Sequence, residues 1–276
     1  AGEGHFVAVP SAELEPVLRT VLELMDRVDD DELRLARPDA TRLLDLEGIP
    51  IKGATSLRNL ARKLADFSGL RTVGTPTTFK AELRPYQQHG LDWLQFLREH
   101  GFGGILADDM GLGKTVQTLA NLTVEKRAGR LREPCLIVAP STLMGNWRRE
   151  AERFAPRLEV LVLHGPERTR WFDRLAEFDL VLTTYPLLPR DRETLLAQSW
   201  HYVILDEAQR IKNPKAQAAQ VVRRLDCRHR LCLTGTPVEN HLGELWAQFD
   251  FLMPGFLGDA KHFKRTFRTP IEQHGD

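Results

Sequence analysis

The amino-acid sequence predicts an α/β fold, built on a mostly parallel sheet that carries helices on both faces. Short apolar runs recur from residue 79 onward, and helical stretches separate them. The runs are continuously apolar rather than alternating, which is typical of strands covered on both faces. Strands that alternate with helices imply right-handed crossovers, and ligands of such sheets bind beyond the carboxyl ends of the strands. The predicted strands are residues 104–107, 135–139, 160–163, 180–182, 202–205 and 231–233.

The first 78 residues have a different pattern, which predicts a small, mainly helical accessory region. Apolar residues at 3.6-residue spacing predict one helix, and a second helix is predicted at about residues 56–69. Residues 74–78 are typical of a linker. We therefore expect an N-terminal region over residues 1–78 and an α/β domain over residues 79–276. The apolar face of the first helix is Leu14, Val17, Leu18, Val21, Leu22, Met25 and Val28.

Composition indicates a soluble globular protein rather than a membrane or metal-cluster protein. Hydrophobic residues make up 42% and charged residues 28%, and no stretch approaches the roughly 20 apolar residues of a membrane span. The three cysteines lack metal-ligand spacing and are expected to be reduced packing residues. The net charge is zero, although residues 210–230 form a basic stretch. The five tryptophans form no stacking stripe, so most are expected in the core or at interfaces.

A glycine-rich loop between a predicted strand and a predicted helix indicates a phosphate-binding site. A helix N-terminus presents backbone N–H groups to an anion, and glycines let the backbone come close. In this pattern Lys114 would reach the β- and γ-phosphates, and the Thr115 hydroxyl would complete a Mg²⁺ shell. The general pattern has glycine where this chain has Asp108. The predicted loop is Asp108, Asp109, Met110, Gly111, Leu112, Gly113, Lys114 and Thr115.

An acidic pair follows the predicted strand 202–205. At the strand end, Asp206 is placed to hold Mg²⁺ directly or through water, and Glu207 can polarise the attacking water. An Asp-Glu pair by itself is also a common strand terminus. Its combination with Lys114 and Thr115 in the same sheet favours the catalytic interpretation.

Further segments complete an ordered set of motifs. Residues 83–87 have the sequence LRPYQ, 138–143 VAPSTL, 182–185 LTTY, 206–209 DEAQ and 233–237 LTGTP. Together with the phosphate loop, this set resembles the SWI/SNF family of helicase-like ATPases in superfamily 2, of bacterial type. The resemblance covers about residues 80–271. The family's own phosphate loop carries an acid at the position of Asp108, whereas Gln209 stands where the family often has histidine.

The resemblance implies a RecA-like lobe that binds ATP and Mg²⁺ and hydrolyses ATP. Gln87 would hydrogen-bond the adenine edge, and Lys114 and Glu207 would be catalytic. The implied metal ligands are Thr115 and Asp206. The segment that contains Gln209, Thr234 and Thr236 would couple the nucleotide state to DNA binding.

Small hydroxyls and basic side chains near the predicted strand ends suit phosphate contacts, which position a protein on nucleic acid without recognising sequence. Capping of the following turns is the competing explanation for the hydroxyls. The candidates are Ser141, Thr142, Thr183, Thr184, Arg210 and Lys212.

The resemblance also implies partners for the whole protein. The expected substrate is double-stranded DNA, on which family members mostly translocate without separating the strands. A second RecA-like lobe in the same full-length chain would donate arginines to the nucleotide, so we expect a fragment that alone binds ATP weakly and hydrolyses it very slowly. A protein partner could bind residues 1–78. No membrane association is expected, and the expected location is the cytoplasm, at most associated with the bacterial nucleoid.

Three alternatives stay open at this stage. The lobe could belong to an RNA helicase, although LTGTP at residues 233–237 differs from the Ser-Ala-Thr usual in DEAD-box enzymes. It could be a nucleotide-gated protein-interaction module. A signalling ATPase would share the phosphate loop, but would need neither the adenine segment before it nor LTGTP after it.

Overall fold

The computed structural model describes residues 28–29, 32–33, 65 and 69–274. The chain divides into two compact units, Ala1–Ser68 and Gly69–Asp276. In the first unit, Val28–Asp29 (β1) and Glu32–Leu33 (β2) form an antiparallel pair.

The prediction that Val28 lies on a helix is wrong, since Val28 pairs with Leu33. Valine favours strands, and the aspartates that follow it favour a turn over a continued helix. Ala65 is helical, within the second predicted helix. The other residues of the two predicted helices lie outside the described residues, except for Gly69.

The second unit carries the strands and helices of the α/β fold. Its strands are β3 (Gly104–Leu106), β4 (Cys135–Ala139), β5 (Val160–Val162), β6 (Leu180–Thr184), β7 (Trp200–Asp206) and β8 (Cys227–Leu233). Its α-helices are α1 (Pro85–His100), α2 (Lys114–Arg127), α3 (Met144–Phe154), α4 (Arg192–Ala197), α5 (Gln217–Arg224), α6 (Leu242–Leu252) and α7 (Ala260–Phe263). Short 3₁₀ segments lie at Ser141–Leu143, Pro166–Glu177, Tyr185–Leu187 and Ala208–Ile211, and π-helical turns at Lys264–Arg268 and Pro270–His274.

The strands form one parallel sheet of six strands in the order β3-β8-β7-β4-β6-β5. Each predicted apolar run is a strand, and only the boundaries differ. The largest differences are in β7 and β8, which begin earlier than predicted because Trp200 pairs with Cys227 across the two strands. The predicted fold class is confirmed.

Alternate residues of the central strands pack on opposite faces of the sheet. In β4, Ile137 and Ala139 join the core cluster that contains residues of α1, α2 and α3. Leu136 and Val138 join the cluster that contains residues of α4, α5 and α6. Because burial of one large aliphatic side chain contributes about 1.5–3 kcal/mol, both faces stabilise the sheet.

The predicted linker is attached to the α/β unit. The backbone N–H of Val73 donates to Asp92 Oδ1 at 2.8 Å, and its carbonyl accepts from Gln88 Nε2 at 2.9 Å. The N–H of Lys80 donates to the carbonyl of Phe154 at 2.7 Å. These hydrogen bonds place the boundary between the units earlier than residue 78.

A buried carboxylate joins α2 to the opposite end of the sheet from the phosphate loop. Glu125 accepts hydrogen bonds from Arg130 at 2.7 Å and Gln95 at 2.9 Å, and its other oxygen lies 3.1 Å from His201 Nε2. Burial alone would raise the pKa of Glu125, but the hydrogen bonds with His201, Arg130 and Gln95 outweigh it and lower the pKa to about 2.

The strand order brings the predicted site loops together at the carboxyl edge of the sheet. Since β8 lies between β3 and β7, the loop after β8 adjoins both the phosphate loop and the acidic pair. The N–H of Thr234 donates to the carbonyl of Leu106 at 3.2 Å. Within the described residues, no helix combines the length and the apolar character that a membrane crossing requires.

Candidate functional site

The phosphate loop connects β3 to α2 through two glycines in the left-handed region. Gly111 has φ 82° and Gly113 has φ 85°, values that glycine adopts without strain. Gly113 is the N-cap of α2, so Lys114 and Thr115 begin the helix. The Lys114 ammonium donates to the carbonyls of Asp108 at 2.5 Å and Asp109 at 3.1 Å. The loop therefore presents a helix N-terminus and a lysine at one place, as an anion site requires.

The acid at position 108 has a specific partner. Gln117, which is fully buried in α2, donates from Nε2 to Asp108 Oδ2 at 2.7 Å. The Gln117 amide is packed against Gly90 of α1, where an added Cβ would lie 1.9 Å from Gln117 Oε1. Asp108 thus fixes the start of the phosphate loop to α2, and this arrangement needs glycine at position 90.

Gln87 connects the predicted adenine segment to the phosphate loop. Its Oε1 accepts from the N–H of Arg84 at 2.9 Å, and its Nε2 donates to the carbonyl of Leu112 at 3.1 Å. The Tyr86 hydroxyl donates to the same carbonyl at 3.1 Å. The second N–H of the amide donates to the Tyr86 hydroxyl at 3.5 Å, so the capacity that remains on Gln87 is one lone pair of Oε1, which can accept a hydrogen bond from the amino group of a base.

Two adjoining clefts lie around the phosphate loop. The first has a volume of about 540 Å³ and includes Gln87, Gly111 and Gly113 in its lining. The second, of about 310 Å³, brings the loop together with the acidic pair at the end of β7. The second cleft is lined by Met110, Gly111, Gly113, Lys114, Thr115, Leu143, Asn146, Trp147, Glu150, Asp206 and Glu207.

The oxygen donors of the second cleft fit Mg²⁺. The Thr115 hydroxyl and the Asp206 carboxylate belong to residues that line the same cleft. Magnesium is usually bound through one or two such oxygen groups together with substrate phosphates, rather than by a cage of protein ligands. In the part of the chain that the structure describes, no cluster of three or more His, Cys, Asp or Glu residues forms such a cage.

Two donors fix the carboxylate of Asp206. Trp147 Nε1 donates to Oδ2 at 2.7 Å, and the N–H of Glu207 donates to Oδ1 at 3.0 Å. Burial raises the pKa of Asp206, while the hydrogen bond from Trp147 and the charge of Lys114 act in the opposite direction. Trp147 lies in the core, as the sequence predicts for most of the tryptophans, but its hydrogen bond with Asp206 was not predicted. Its position just after the segment VAPSTL was the available signal.

A chain of hydrogen bonds runs from the acidic pair to the loop after β8. Gln209 Nε2 donates to Glu207 Oε2 at 2.8 Å, and Gln209 Oε1 accepts from the Thr234 hydroxyl at 2.8 Å. That hydroxyl accepts in turn from the N–H of Thr236 at 3.1 Å. The structure therefore joins the three residues predicted to couple the site, and the amide of Gln209 occupies the central position.

Glu207 itself has a strained backbone. Its φ is 52°, and no other non-glycine residue in the described part of the chain has a positive φ. A left-handed conformation of such a residue costs about 1–3 kcal/mol and is concentrated at functional sites. Glu207 lines the second cleft together with Lys114 and Thr115.

The family of this chain follows from comparison with known proteins. The family of SNF2-related domains matches residues 86–276, which is more than half of the chain. The chain belongs to the SNF2-related domain family.

Solved structures and curated relatives agree with this assignment. The SWI2/SNF2 ATPase core of Sulfolobus solfataricus, solved in complex with dsDNA, is 41% identical with a TM-score of 0.69, and the match covers 74% of this chain and 42% of that one. YwqA of Bacillus subtilis, a candidate ATP-dependent helicase/translocase, is 43% identical over 92% of this chain and 28% of its own length. The TATA-binding protein-associated factor of Saccharomyces cerevisiae is 38% identical over 83% of this chain and 13% of its own length. The chain therefore spans less than half of the length of each of these relatives. The similarity to the Sulfolobus core confirms the predicted RecA-like fold.

The residues predicted to contact nucleic acid are placed differently in this SNF2-related domain. Ser141 and Thr142 are exposed in the 3₁₀ turn after β4, where they are accessible to a phosphate backbone. Thr183 and Thr184 are buried in β6, with 0% and 2% of their surface exposed, so the structure does not bring their hydroxyls to the surface. The inward packing of a central strand explains this difference from the prediction.

The two predicted basic contacts also differ from each other. Arg210 is exposed beyond the acidic pair. Lys212 lies 2.9 Å from Glu239 and 3.7 Å from Glu244. The hydrogen bond with Glu239 raises the pKa of Lys212. Any contact of Lys212 with nucleic acid therefore competes with these two carboxylates.

Proposed function

We propose that this chain is the ATP-binding lobe of a DNA-dependent ATPase that translocates on double-stranded DNA or remodels protein–DNA complexes. The observation that carries the proposal is the meeting of Lys114, Thr115, Asp206 and Glu207 in one cleft that adjoins the cleft of Gln87. A phosphate loop is common to many ATPases. The hydrogen-bonded link from Glu207 through Gln209 to Thr234 joins the nucleotide site to the loop after β8, a connection that a simple nucleotide-binding module does not need.

The residues have distinct roles in this proposal. Gln87 recognises the adenine edge by accepting a hydrogen bond from the adenine amino group at the Oε1 lone pair that its protein contacts leave free. The backbone N–H groups at the start of α2 and the Lys114 ammonium bind the phosphates and offset the charge that develops on them. Glu207 orients and polarises the attacking water.

Thr115 and Asp206 would hold Mg²⁺, which, when bound, neutralises charge on the transferring phosphoryl group. The donor set, a hydroxyl and a carboxylate in one cleft with the lysine, supports this role.

We further propose that duplex DNA is the physiological substrate and that a second RecA-like lobe completes the site. The complex of the Sulfolobus core with dsDNA supports the first point. The 28% of YwqA that this chain spans supports the second, because a longer relative has length for another lobe. We propose the bacterial cytoplasm as the location. A protein partner for residues 1–78 stays a prediction.

The experiment is an ATPase assay with and without duplex DNA, on this chain and on a longer natural chain that carries both lobes. We expect strong stimulation of the longer form only. Glu207→Gln should lower its turnover by about 10²-fold or more and leave nucleotide binding intact, because general-base catalysis typically contributes that much. Glu152→Gln, an exposed change on α3, is the matched control.

Other outcomes would favour the alternatives. Nucleotide binding without DNA stimulation of either form would point to a nucleotide-gated interaction module. Displacement of RNA duplexes would point to an RNA helicase.

A further inference from the structure

The second cleft contains one buried hydrogen-bond donor from α3, the indole N–H of Trp147. Trp147 is 1% exposed, yet its indole belongs to the lining of the cleft that holds Thr115 and Asp206. An indole N–H can only donate a hydrogen bond and cannot bind a cation. Trp147 therefore acts on the site only through the group that accepts this hydrogen bond.

That group is the Asp206 carboxylate. Its Oδ2 accepts from Trp147 at 2.7 Å, and its Oδ1 accepts from the N–H of Glu207 at 3.0 Å. A carboxylate that is held through both oxygens cannot rotate about its terminal bond without losing one of these bonds. About four lone-pair sites exist on a carboxylate, so two remain for a cation or its water.

Trp147 itself is held firmly in place. It lies on α3 and packs in the core cluster with residues of α1, α2 and the sheet. Because the ring cannot shift, the position of its N–H is determined by the core rather than by the cleft. The core thus sets the orientation of a carboxylate 59 residues away in sequence.

We propose that Trp147 is a positioning residue for divalent-cation binding: its N–H holds the Asp206 carboxylate in the orientation that receives the cation–nucleotide complex. This inference rests on the proposed function, since it deepens the role given there to Asp206. Hydrogen-bond partners of metal ligands typically contribute 10- to 100-fold to metal affinity. Trp147 is therefore expected to set how much a divalent cation strengthens nucleotide binding.

The test uses Trp147→Phe in the 276-residue chain. Phenylalanine keeps a buried aromatic ring and removes the N–H. Affinity for a non-hydrolysable ATP analogue is measured by equilibrium titration, once with Mg²⁺ and once with EDTA. We expect affinity in EDTA to stay within about twofold of the unmodified chain. The gain that Mg²⁺ provides should fall by about tenfold or more.

Trp200→Phe is the matched control. Trp200 is also fully buried, and its Nε1 donates at 3.0 Å to the carbonyl of Leu195, away from the cleft. Both variants lose one indole hydrogen bond and the same ring volume. Thermal denaturation of both variants checks that they lose a comparable amount of stability. In the titration, Trp200→Phe should keep the full increase in nucleotide affinity that Mg²⁺ provides.

A second substitution separates the hydrogen bond from the change in ring size. In a second variant, 3-benzothienylalanine replaces Trp147. Its ring has the shape of indole but no N–H, so this variant can be measured even if Trp147→Phe does not fold. In this variant, the increase in nucleotide affinity that Mg²⁺ provides should be reduced as much as in Trp147→Phe. In an Asp206→Asn background, neither change at position 147 should reduce the gain further, because Trp147 acts through that carboxylate.

The outcomes separate the inference from the function on which it rests. A full Mg²⁺ gain in the benzothienyl chain, or an equal loss in Trp200→Phe, would overturn the positioning role and leave the proposed function standing. An unmodified chain whose nucleotide affinity does not respond to Mg²⁺ would overturn the Mg²⁺ role proposed for Thr115 and Asp206, and the positioning role with it.

Discussion

The hydrogen bonds of Thr234 can be removed almost without a change of shape by Thr234→Val. The Thr234 side chain is fully buried. Its hydroxyl donates to Gln209 Oε1 at 2.8 Å and accepts from the N–H of Thr236 at 3.1 Å. Valine fills the same volume but can make neither bond, so the substitution tests the link between the acidic pair and the loop after β8.

The magnitude follows from what each partner can do afterwards. A hydrogen bond contributes about 0.5–1.5 kcal/mol net, and more is lost where a buried partner stays unpaired. Thr236 is exposed, so its N–H can bond to water, whereas the half-buried Gln209 is less able to do so. We expect the free energy of unfolding to fall by about 1–2 kcal/mol, which for a unit of this size lowers Tm by about 2–8 °C.

The assay is urea denaturation followed by circular dichroism, with Thr123→Val as the control. Thr123 is also buried, and its hydroxyl donates at 2.7 Å to the carbonyl of Leu119 within α2, where such a bond adds little to stability. If Thr234→Val is as stable as Thr123→Val, the two loops are not joined as described.

The same variant separates coupling from nucleotide binding. Thr234 lines neither of the two clefts, so nucleotide affinity should not change. DNA stimulation of ATP hydrolysis in a chain with both lobes should fall. A marked loss of nucleotide affinity would refute the reasoning, because Thr234 would then act on the nucleotide site itself.

Two further predictions concern the phosphate loop and the buried carboxylate. Gly90→Ala would place a Cβ 1.9 Å from Gln117 Oε1, so it should destabilise the chain by about 1–3 kcal/mol and weaken nucleotide binding. Gly145→Ala is the control, because its added Cβ would lie 3.5 Å from the nearest atom, and it should change neither stability nor nucleotide affinity. Equal behaviour of the two variants would contradict the close packing of Gly90 against Gln117. Glu125, with its pKa lowered from 4.5 to about 2, stabilises the fold by about 3 kcal/mol above pH 4.5, and this contribution is lost as the pH falls towards 2. Denaturation of Glu125→Gln should show a lower free energy of unfolding at pH 7 and a weaker dependence of that free energy on pH between pH 5 and 3. If the dependence on pH is unchanged, Glu125 is not the group whose protonation destabilises the fold.

The sequence predicted much of the fold because the signals are local. A strand covered on both faces must be apolar at every position, so β4 appears as an uninterrupted apolar run with the same bounds in sequence and structure. The phosphate loop is similarly local, since its glycines and Lys114 lie within one strand-turn-helix segment. The loops at the carboxyl edge follow from the parallel topology, so the meeting of Lys114 with Asp206 and Glu207 could be expected.

Other features depend on contacts between distant parts of the chain, and the sequence pattern did not contain them. The first 78 residues show the limit of periodicity, since Val28 fits a helical face but pairs in a strand. Thr183 and Thr184 are polar and follow an apolar run, yet β6 extends through both and buries them. Whether a polar residue ends a strand or continues it depends on the neighbouring strand, here β4, which pairs with β6 up to Thr184.

The sequence by itself therefore determined the fold class, the phosphate loop and the order of the motifs along the chain, because these depend on spacing and residue type. Only the tertiary structure decided which side chains complete the site. The bond of Trp147 to Asp206 and the packing of Gln117 against Gly90 join elements far apart in the chain. The physical reason is that a buried polar group must find a partner wherever the packed core provides one, and that position is set by the arrangement of helices on the sheet.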